Sequence, residues 1–428
     1  MDKRRFSPVR LILLFILAAG AFAAVWFLVP EMIRTHNDTA GLGITQPDAD
    51  LAEDLKNLVL NRKKIVYSLD GTGSANVKLL VAMEEERRIA EEQERAQREA
   101  EEEEARLHAE PFTIAFAGDI LFDPYYAVGQ TMAANGGFAA CLDEQTLDAM
   151  RSADMMVINN EFPYTQNGAP LEGKTYTFHA PPYTAAWLAD AGVDLAALAN
   201  NHIFDYGEQG FLETLDTLDN AGIPYFGAGR NIEEASRIVY YTVGRMTVAL
   251  LNCTQIERYP NSETRAADEN RGGVFKCLDP SLMYSRVREA KENADFVIVF
   301  IHWGTEKESM ADQLQRDQAA GLAQAGADLV VGAHPHRIQG VEYYGSTPVA
   351  YSIGNFLFTS YTLDVSLLEV TLDPDTQSMV SLRMIPMQQV NSRVRFLEGA
   401  EKERFIQELR QISSGVNIDG DGYISKQY

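Results

Sequence analysis

An α/β fold is the class this sequence predicts, on three observations. After Pro111, short β-branched or apolar runs alternate with stretches of helical length and periodicity. Polar and ionisable residues recur just past the C-terminal ends of those runs, the edge on which α/β folds carry their sites. The 428 residues are 46% hydrophobic and 10% aromatic, enough to bury a sizeable core and incompatible with disorder throughout.

From the N-terminus, residues 11–29 read LILLFILAAGAFAAVWFLV without a charge. A helix of that length, at about 1.5 Å per residue, spans roughly 28 Å, close to the hydrocarbon thickness of a bilayer. Lys3, Arg4, Arg5 and Arg10 precede it. The pattern predicts a cytoplasmic N-terminus (1–10), a transmembrane helix (11–29), and a single-pass protein of the cell membrane whose large domain is extracytoplasmic. A cleaved signal peptide competes, because Ala21-Phe22-Ala23 resembles a processing site. The apolar run continues past it to Val29, which favours the anchor.

Residues 30–110 read as an acidic linker and helical stalk. Leu51, Leu55 and Leu58 sit at helical spacing, and Asp70-Gly71-Thr72-Gly73-Ser74 breaks the pattern. From Glu84 to Glu110, twelve acidic residues face five basic ones. Opposite charges at helical spacing, Glu84 with Arg88 and Glu91 with Arg95, predict an exposed helix.

Within 111–396, strands are expected at Thr113–Ala117, Met155–Ile158, Asp194–Leu198, Arg245–Leu251, Asp295–Ile301, Asp328–Val331 and Pro348–Ser352. Helices are expected at Asp143–Arg151, Tyr183–Ala191, Gln209–Ala221, Pro280–Asn293 and Gln313–Gly326. Residues 365–396 read as strands without helices, a second sheet or an antiparallel flank. In the C-terminal extension, 397–428, Asn417, Asp419, Asp421 and Gly422 resemble half of an EF-hand loop. Its twelfth position is Tyr428 instead of Glu, so a polar turn is expected.

Charge and cysteine usage exclude whole classes. Asp and Glu number 61 against 37 Lys and Arg, a net charge of −24, which argues against a nucleic-acid partner. Cys141, Cys253 and Cys277 form no CxxC pair, which excludes a disulfide scaffold and a cysteine-type zinc site.

The strand ends carry the chemistry: Gly118-Asp119, Asn159-Asn160-Glu161, Asn200-Asn201-His202 with Asp205, His302-Trp303-Gly304-Thr305-Glu306, His334-Pro335-His336 and Ser352-Ile353-Gly354-Asn355. Four of the seven histidines lie here. Singly, each motif has a bland reading: Asp119 as a turn residue, Asn200 as a cap, His302 as a packed histidine. Jointly they supply mixed oxygen and nitrogen donors suited to divalent metals. A two-metal hydrolytic centre needs a bridging carboxylate, neutral imidazoles, an amide oxygen, and a further His to protonate the leaving oxygen.

In this order, the motifs Gly-Asp, Asn-Glu, Asn-Asn-His-x-x-Asp-x-Gly, His-Trp-Gly-x-Glu, Gly-x-His-Pro-His and Ser-x-Gly-Asn-Phe resemble the CapA-type capsule-synthesis proteins over about residues 112–390. Those proteins are associated with bacterial poly-γ-glutamate capsule synthesis and export, and are similar in turn to calcineurin-like metallophosphoesterases. The resemblance implies a metallophosphoesterase-like four-layer αββα sandwich behind the anchor and stalk. It further implies two divalent ions of the Mn, Zn, Fe or Mg class. Asp119 and His336 would hold the first ion, Glu161 would bridge, and Asn201, His302 and His334 would hold the second. His202 would be the leaving-group acid with Asp205 as its orienter; Asn160, His179, Glu306 and Asn355 would contact substrate.

Two departures stand out. Leu121 occupies the position where metallophosphoesterases carry a His, and Glu161 replaces a bridging Asp, which implies one metal site that is weaker or is filled only with substrate. In addition, His179 stands where the capsule family often has Arg. The implied partners are the membrane, an anionic polymer or phosphoester substrate, and capsule-synthase membrane subunits. Three functions compete: a metal-dependent, phosphoesterase-like hydrolase; a non-catalytic metal- or polymer-binding component of a capsule synthesis or export complex; and a receptor-like binding module, which rests only on the stalk and anchor.

Overall fold

The computed structural model describes residues 74–256 and 264–427. The chain divides into two compact units, Met1–Glu92 and Gln93–Tyr428. Helix α1 (Ser74–Leu107) is 34 residues long, and its side chains from 85 to 99 are exposed. Oppositely charged neighbours lace it through Arg87–Glu91, Arg88–Glu85, Arg95–Glu99 and Arg98–Glu94, so Arg88, Glu91 and Arg95 take other partners than those expected.

One expectation is corrected here. Among the described residues, no helix is long and apolar enough to cross a membrane. The single-pass anchor, the membrane as a partner and the cell-membrane location therefore have no support in the described residues. The segment 11–29 on which they rested lies outside the described residues. Helix α1 has the length, but each charge carried to a bilayer centre would cost a few kcal/mol or more. The stalk reading was defined by the membrane beneath it and falls with the anchor.

The strands, in chain order, begin with β1 (Phe112–Ile120), β2 (Met155–Asn160), β3 (Leu195–Ala197), β4 (Tyr225–Phe226), β5 (Ala228–Gly229) and β6 (Val239–Val243). Next come β7 (Met246–Thr254), β8 (Gly273–Val274), β9 (Phe296–His302), β10 (Leu329–Ala333), β11 (Val341–Tyr344) and β12 (Thr347–Ala350). The last are β13 (Asn355–Leu357), β14 (Leu363–Asp373), β15 (Ser378–Val390), β16 (Arg393–Phe396), β17 (Val416–Ile418) and β18 (Tyr423–Lys426). The helices after α1 are α2 (Ala127–Asn135), α3 (Glu144–Ser152), α4 (Ala186–Asp190) and α5 (Gly207–Ala221). They continue with α6 (Ile232–Ala235), α7 (Ser281–Asn293), α8 (Gln313–Ala325) and α9 (Gly399–Ile412).

Strand alternation builds the layers. Ile114 and Phe116 of β1, Ile298 and Phe300 of β9, and Leu368 and Val370 of β14 meet in one core between two sheets. The intervening Ala115 and Ala117 face a second core with Met132 of α2, Met150 of α3 and Leu215 of α5. Val297, Val299 and Ile301 face a third, with Val287 of α7 and Leu322 of α8. Both faces of each sheet are thus covered, giving the αββα sandwich that was expected. Each fully buried aliphatic or aromatic side chain contributes about 1.5–3 kcal/mol.

The larger sheet runs β17-β18-β15-β14-β1-β2-β3-β4, with β13 on β1 and β16 on β15; the smaller runs β11-β12-β10-β9-β7-β6. β1 to β4 are parallel, as are β7, β9, β10 and β12. Residues 365–396 are strands, as expected, and take the second of the two expected forms, an antiparallel flank of the first sheet, with β14 antiparallel to β1. Tyr183–Ala191 is only partly α-helical: Pro182–Ala185 is a 3₁₀ turn, and the α-helix begins at Ala186. The tail beyond 396 is integral: Phe405, Ile406 and Leu409 of α9 enter the inter-sheet core. Asp419 accepts from the amides of Asp421 and Tyr423, and Asp421 binds Lys402, so the acidic loop is a turn that already holds a cation.

Candidate metal centre

The parallel strands of both sheets end at one edge. Asp119 pairs in register with Asn159 of β2 and Asn355 of β13. In the smaller sheet, His302 is level with Ala333 of β10 and Thr254 of β7. Asp119 sits beside a register shift at Gly118. A Cβ on Gly118 would lie 1.8 Å from the Gly354 carbonyl oxygen, so only glycine allows β1 and the Gly354 turn to approach this closely. Gly118→Ala should destabilise the protein by about 1–3 kcal/mol, read as a lower urea midpoint with an unchanged slope. An unaltered midpoint would contradict this packing.

His334 and His336 both adopt left-handed backbone conformations, φ 98° and 56°. Such positions cost about 1–3 kcal/mol each and persist only where the surroundings enforce them. Here they turn two imidazoles on either side of Pro335 toward the same edge. Gly304, at φ 84°, lets the chain leave His302-Trp303 at once, and a Cβ there would meet Gln315 of α8 at 2.5 Å.

Among the described residues, two groups of donors lie close enough to hold an ion: Glu161 with His302 and His334, and Asp119 with Glu161 and His336. Glu161 belongs to both. His302 Nε2 is 2.8 Å from Asn201 Oδ1, 3.0 Å from His334 Nδ1 and 3.4 Å from Glu161 Oε1. His336 Nδ1 is 3.1 Å from Asp119 Oδ2 and 2.8 Å from Asn355 Oδ1. Asp119 Oδ2 and Glu161 Oε1 are buried without a well-aligned hydrogen bond, although His336 Nδ1 stands 3.1 Å from Asp119 Oδ2.

The electrostatics fit cations. Burial opposes ionisation of Asp119, yet His336, with His302 and Asn159 behind it, outweighs burial and holds its carboxyl below the usual range. Burial pushes Glu161 well above its usual range, and the charges of Asp119 and Glu306 act in the same direction. Burial also works against a charged His336, but Asp119, Asn355 and Glu306 prevail and raise it. Two buried carboxylates facing three imidazoles form a cluster that divalent cations would neutralise.

A sign follows for the metal-free protein. Raised folded-state values mean stability that is complete below the unfolded values, 4.5 for Glu161 and 6.5 for His336, and is lost as pH rises through the folded ones. Chelated protein should therefore melt progressively lower as pH rises above about 6.5, below which the lowered pKa of His202 acts in the opposite direction, and added Mn²⁺ should flatten the profile. A melting profile in chelator that does not fall with pH would contradict the charge arrangement.

His202 lies next to Asn201 with its Nδ1 2.7 Å from Asp205 Oδ2. Phe178 packs on its ring at 4.3 Å. Burial lowers its pKa, and Asp205 opposes that shift. The residues expected at substrate positions are spread out. The His179 ring packs against Tyr206 at 4.4 Å, tilted by 40°, and its backbone amide donates to Asp123 Oδ2 at 3.0 Å. Glu306 is half-buried, and its charge reaches Glu161 and His336. Asn355 is buried against His336. Asn160 is fully buried, and its amide donates to the Phe162 carbonyl at 2.7 Å.

Asn159, not singled out from sequence, is the residue that ties the carboxylates together. Its amide donates to Asp119 Oδ1 at 2.7 Å and lies 3.4 Å from both Glu161 Oε2 and His302 Nδ1. Strand alternation puts Asn159 and Glu161 on one face only if β2 stays extended up to Glu161, and it does not say which face meets Asp119. Asn200 takes the capping role of its bland reading: its side-chain oxygen accepts from the amides of His202 and Ile203.

Residues 113–360 match the family model described as "Bacterial capsule synthesis protein PGA_cap". The PGA biosynthesis protein CapA of Bacillus subtilis is 32% identical over 246 residues, covering 57% of this chain and 62% of the relative. The capsule biosynthesis protein CapA of Bacillus anthracis is 33% identical over 189 residues, covering 43% of this chain and 45% of the relative. The chain thus spans less than two thirds of either relative's length. Among solved structures, a phosphatase from Mycoplasma pneumoniae aligns at TM-score 0.40 and 11% identity, over 66% of this chain and 95% of its own. That likeness is too distant to bear on the chemistry.

Proposed function

The chain belongs to the bacterial capsule synthesis protein family PGA_cap, and from that premise we propose that its strand-end cluster is a metal-dependent hydrolytic centre acting on a phosphoester or on capsule polymer. Asp119 and His336 would hold one divalent cation, Asn201, His302 and His334 the other, and Glu161 would face both. When bound, such a pair supplies Lewis acidity and makes water acidic enough to attack near neutral pH. The protein's part is to deliver a proton and to keep the geometry. His202 donates through Nδ1 to Asp205, which leaves Nε2 to protonate the departing oxygen as water adds. Its lowered pKa makes the imidazolium a ready donor.

The observation that carries this reading is the buried His202–Asp205 pair beside an unneutralised carboxylate–imidazole cluster, because a purely structural metal site has no use for a second, separately oriented imidazole. The test is metal analysis of the purified protein together with hydrolysis assays on bis(p-nitrophenyl) phosphate and on poly-γ-glutamate. Turnover of either, abolished by chelator and restored by Mn²⁺, is the expected result. Metal-loaded protein inert toward both would favour the second reading, a non-catalytic metal- or polymer-binding component of a capsule synthesis or export complex. One observation leans that way: Leu121, at the place of a metal-ligating His in metallophosphoesterases, is packed in the hydrophobic core.

A further inference from the structure

We propose that Lys174 is a positioning residue, whose buried ammonium divides the two oxygens of Asp205 so that His202 presents Nε2 to the substrate; this deepens the hydrolytic reading above and rests on it. Lys174 lies in the long segment between β2 and Pro182, which has no regular element. Connections of this length inside a compact domain are usually functional or disordered, and this one is tied down. The Leu171 amide donates to the Asp205 carbonyl at 2.8 Å, and the Phe178 amide to Asp205 Oδ2 at 2.7 Å. Lys174 Nζ donates to Asp205 Oδ1 at 2.5 Å and to the Asn201 carbonyl oxygen at 2.6 Å.

Lys174's neighbours Gly173 and Thr175 are exposed, yet its own side chain is 5% exposed and its partner carboxylate 0%. Desolvating an ammonium is costly, and an apolar side chain would staple a loop at least as well. The cation's distinct contribution is directional. Asp205 gives Oδ1 to Lys174 and Oδ2 to Phe178 N and His202 Nδ1. With Oδ1 occupied, the carboxylate cannot rotate away from the imidazole. The second Lys174 bond, to the Asn201 carbonyl, fixes the same loop next to the amide that faces His302. One ammonium thereby sets the spacing between the proton donor and the metal cluster.

The test uses the full chain with Mn²⁺ and bis(p-nitrophenyl) phosphate, alongside proton NMR of the downfield His202 Nδ1 proton, identified by its absence in His202→Ala. In Lys174→Met, kcat should fall about 10–100-fold with KM within about twofold and metal content unchanged. The downfield proton should vanish. Lys174→Arg keeps a cation within reach of Asp205 and should retain both signals, so it decides the matter even if Lys174→Met does not fold. Retention of kcat and of the proton in Lys174→Met, or loss of both in a folded Lys174→Arg, overturns the assignment. If the wild type turns nothing over, the hydrolytic reading falls, and the proton signal alone decides whether Lys174 orients His202.

Discussion

Glu161→Ala is expected to empty the metal centre while leaving the chain folded. Glu161 is the one carboxylate shared by both donor groups, so its loss leaves two cations with uncompensated mutual repulsion and removes a ligand from each. Altering outer-shell partners typically weakens metal binding about 10–100-fold; removing a shared first ligand should exceed that. Elemental analysis after dialysis should therefore find less than about one ion per chain where the wild type holds about two. Undiminished metal in Glu161→Ala would sink the bridging assignment, since Asp119 and His336 serve only one group. A companion variant sharpens the point. Glu161→Gln keeps the shape but removes a charge that burial and Asp119 both disfavour. Without metal it should be more stable than the wild type near pH 8, by roughly 1–3 kcal/mol. A site that weakens the apoprotein in this way is maintained for its ligand.

The second large effect is on rate without binding. His202→Ala should keep its metal and lose about 10²–10⁴ in turnover, the usual cost of removing a general acid. His202 hydrogen-bonds Asp205 and packs on Phe178, so its ring is held outside the two donor groups. Metal content equal to wild type with turnover reduced is the expected pair of results. Metal loss in His202→Ala would recast the residue as a ligand, and undiminished turnover would leave the leaving oxygen to be protonated by water. Raising the leaving-group acidity of the substrate should narrow the gap between variant and wild type, because a good leaving group needs no proton.

Much of the site was legible because strand ends are local. A run such as Phe296–His302 declares a buried strand by its apolar residues, and the polar residue that closes it marks the edge where parallel strands deliver side chains. The strand-end motifs could thus be grouped as one mixed oxygen and nitrogen donor set, whereas the choice of Asp119, Glu161, Asn201, His302, His334 and His336 as ligands came from the resemblance to the family that residues 113–360 match. The apolar run at 11–29 was equally legible as a pattern, but hydropathy speaks of a segment's solvent preference, and among the described residues no helix crosses a membrane.

The amino-acid sequence by itself determined the α/β alternation, the family and the donor types at each strand end, since all of these are written within a few neighbouring residues. The tertiary structure alone decided three further things. It placed Asn159 rather than Asn160 between the carboxylates, which depends on how far β2 stays extended before Glu161. It carried residues 363–396 into the first sheet and Phe405 into the inter-sheet core, pairings between segments hundreds of residues apart. And it buried Lys174, flanked by exposed residues in a segment with no periodicity, against Asp205. The reason is physical: periodicity reports which face of an element avoids water, whereas a contact between an irregular loop and a strand-end turn depends on where the rest of the chain has put both.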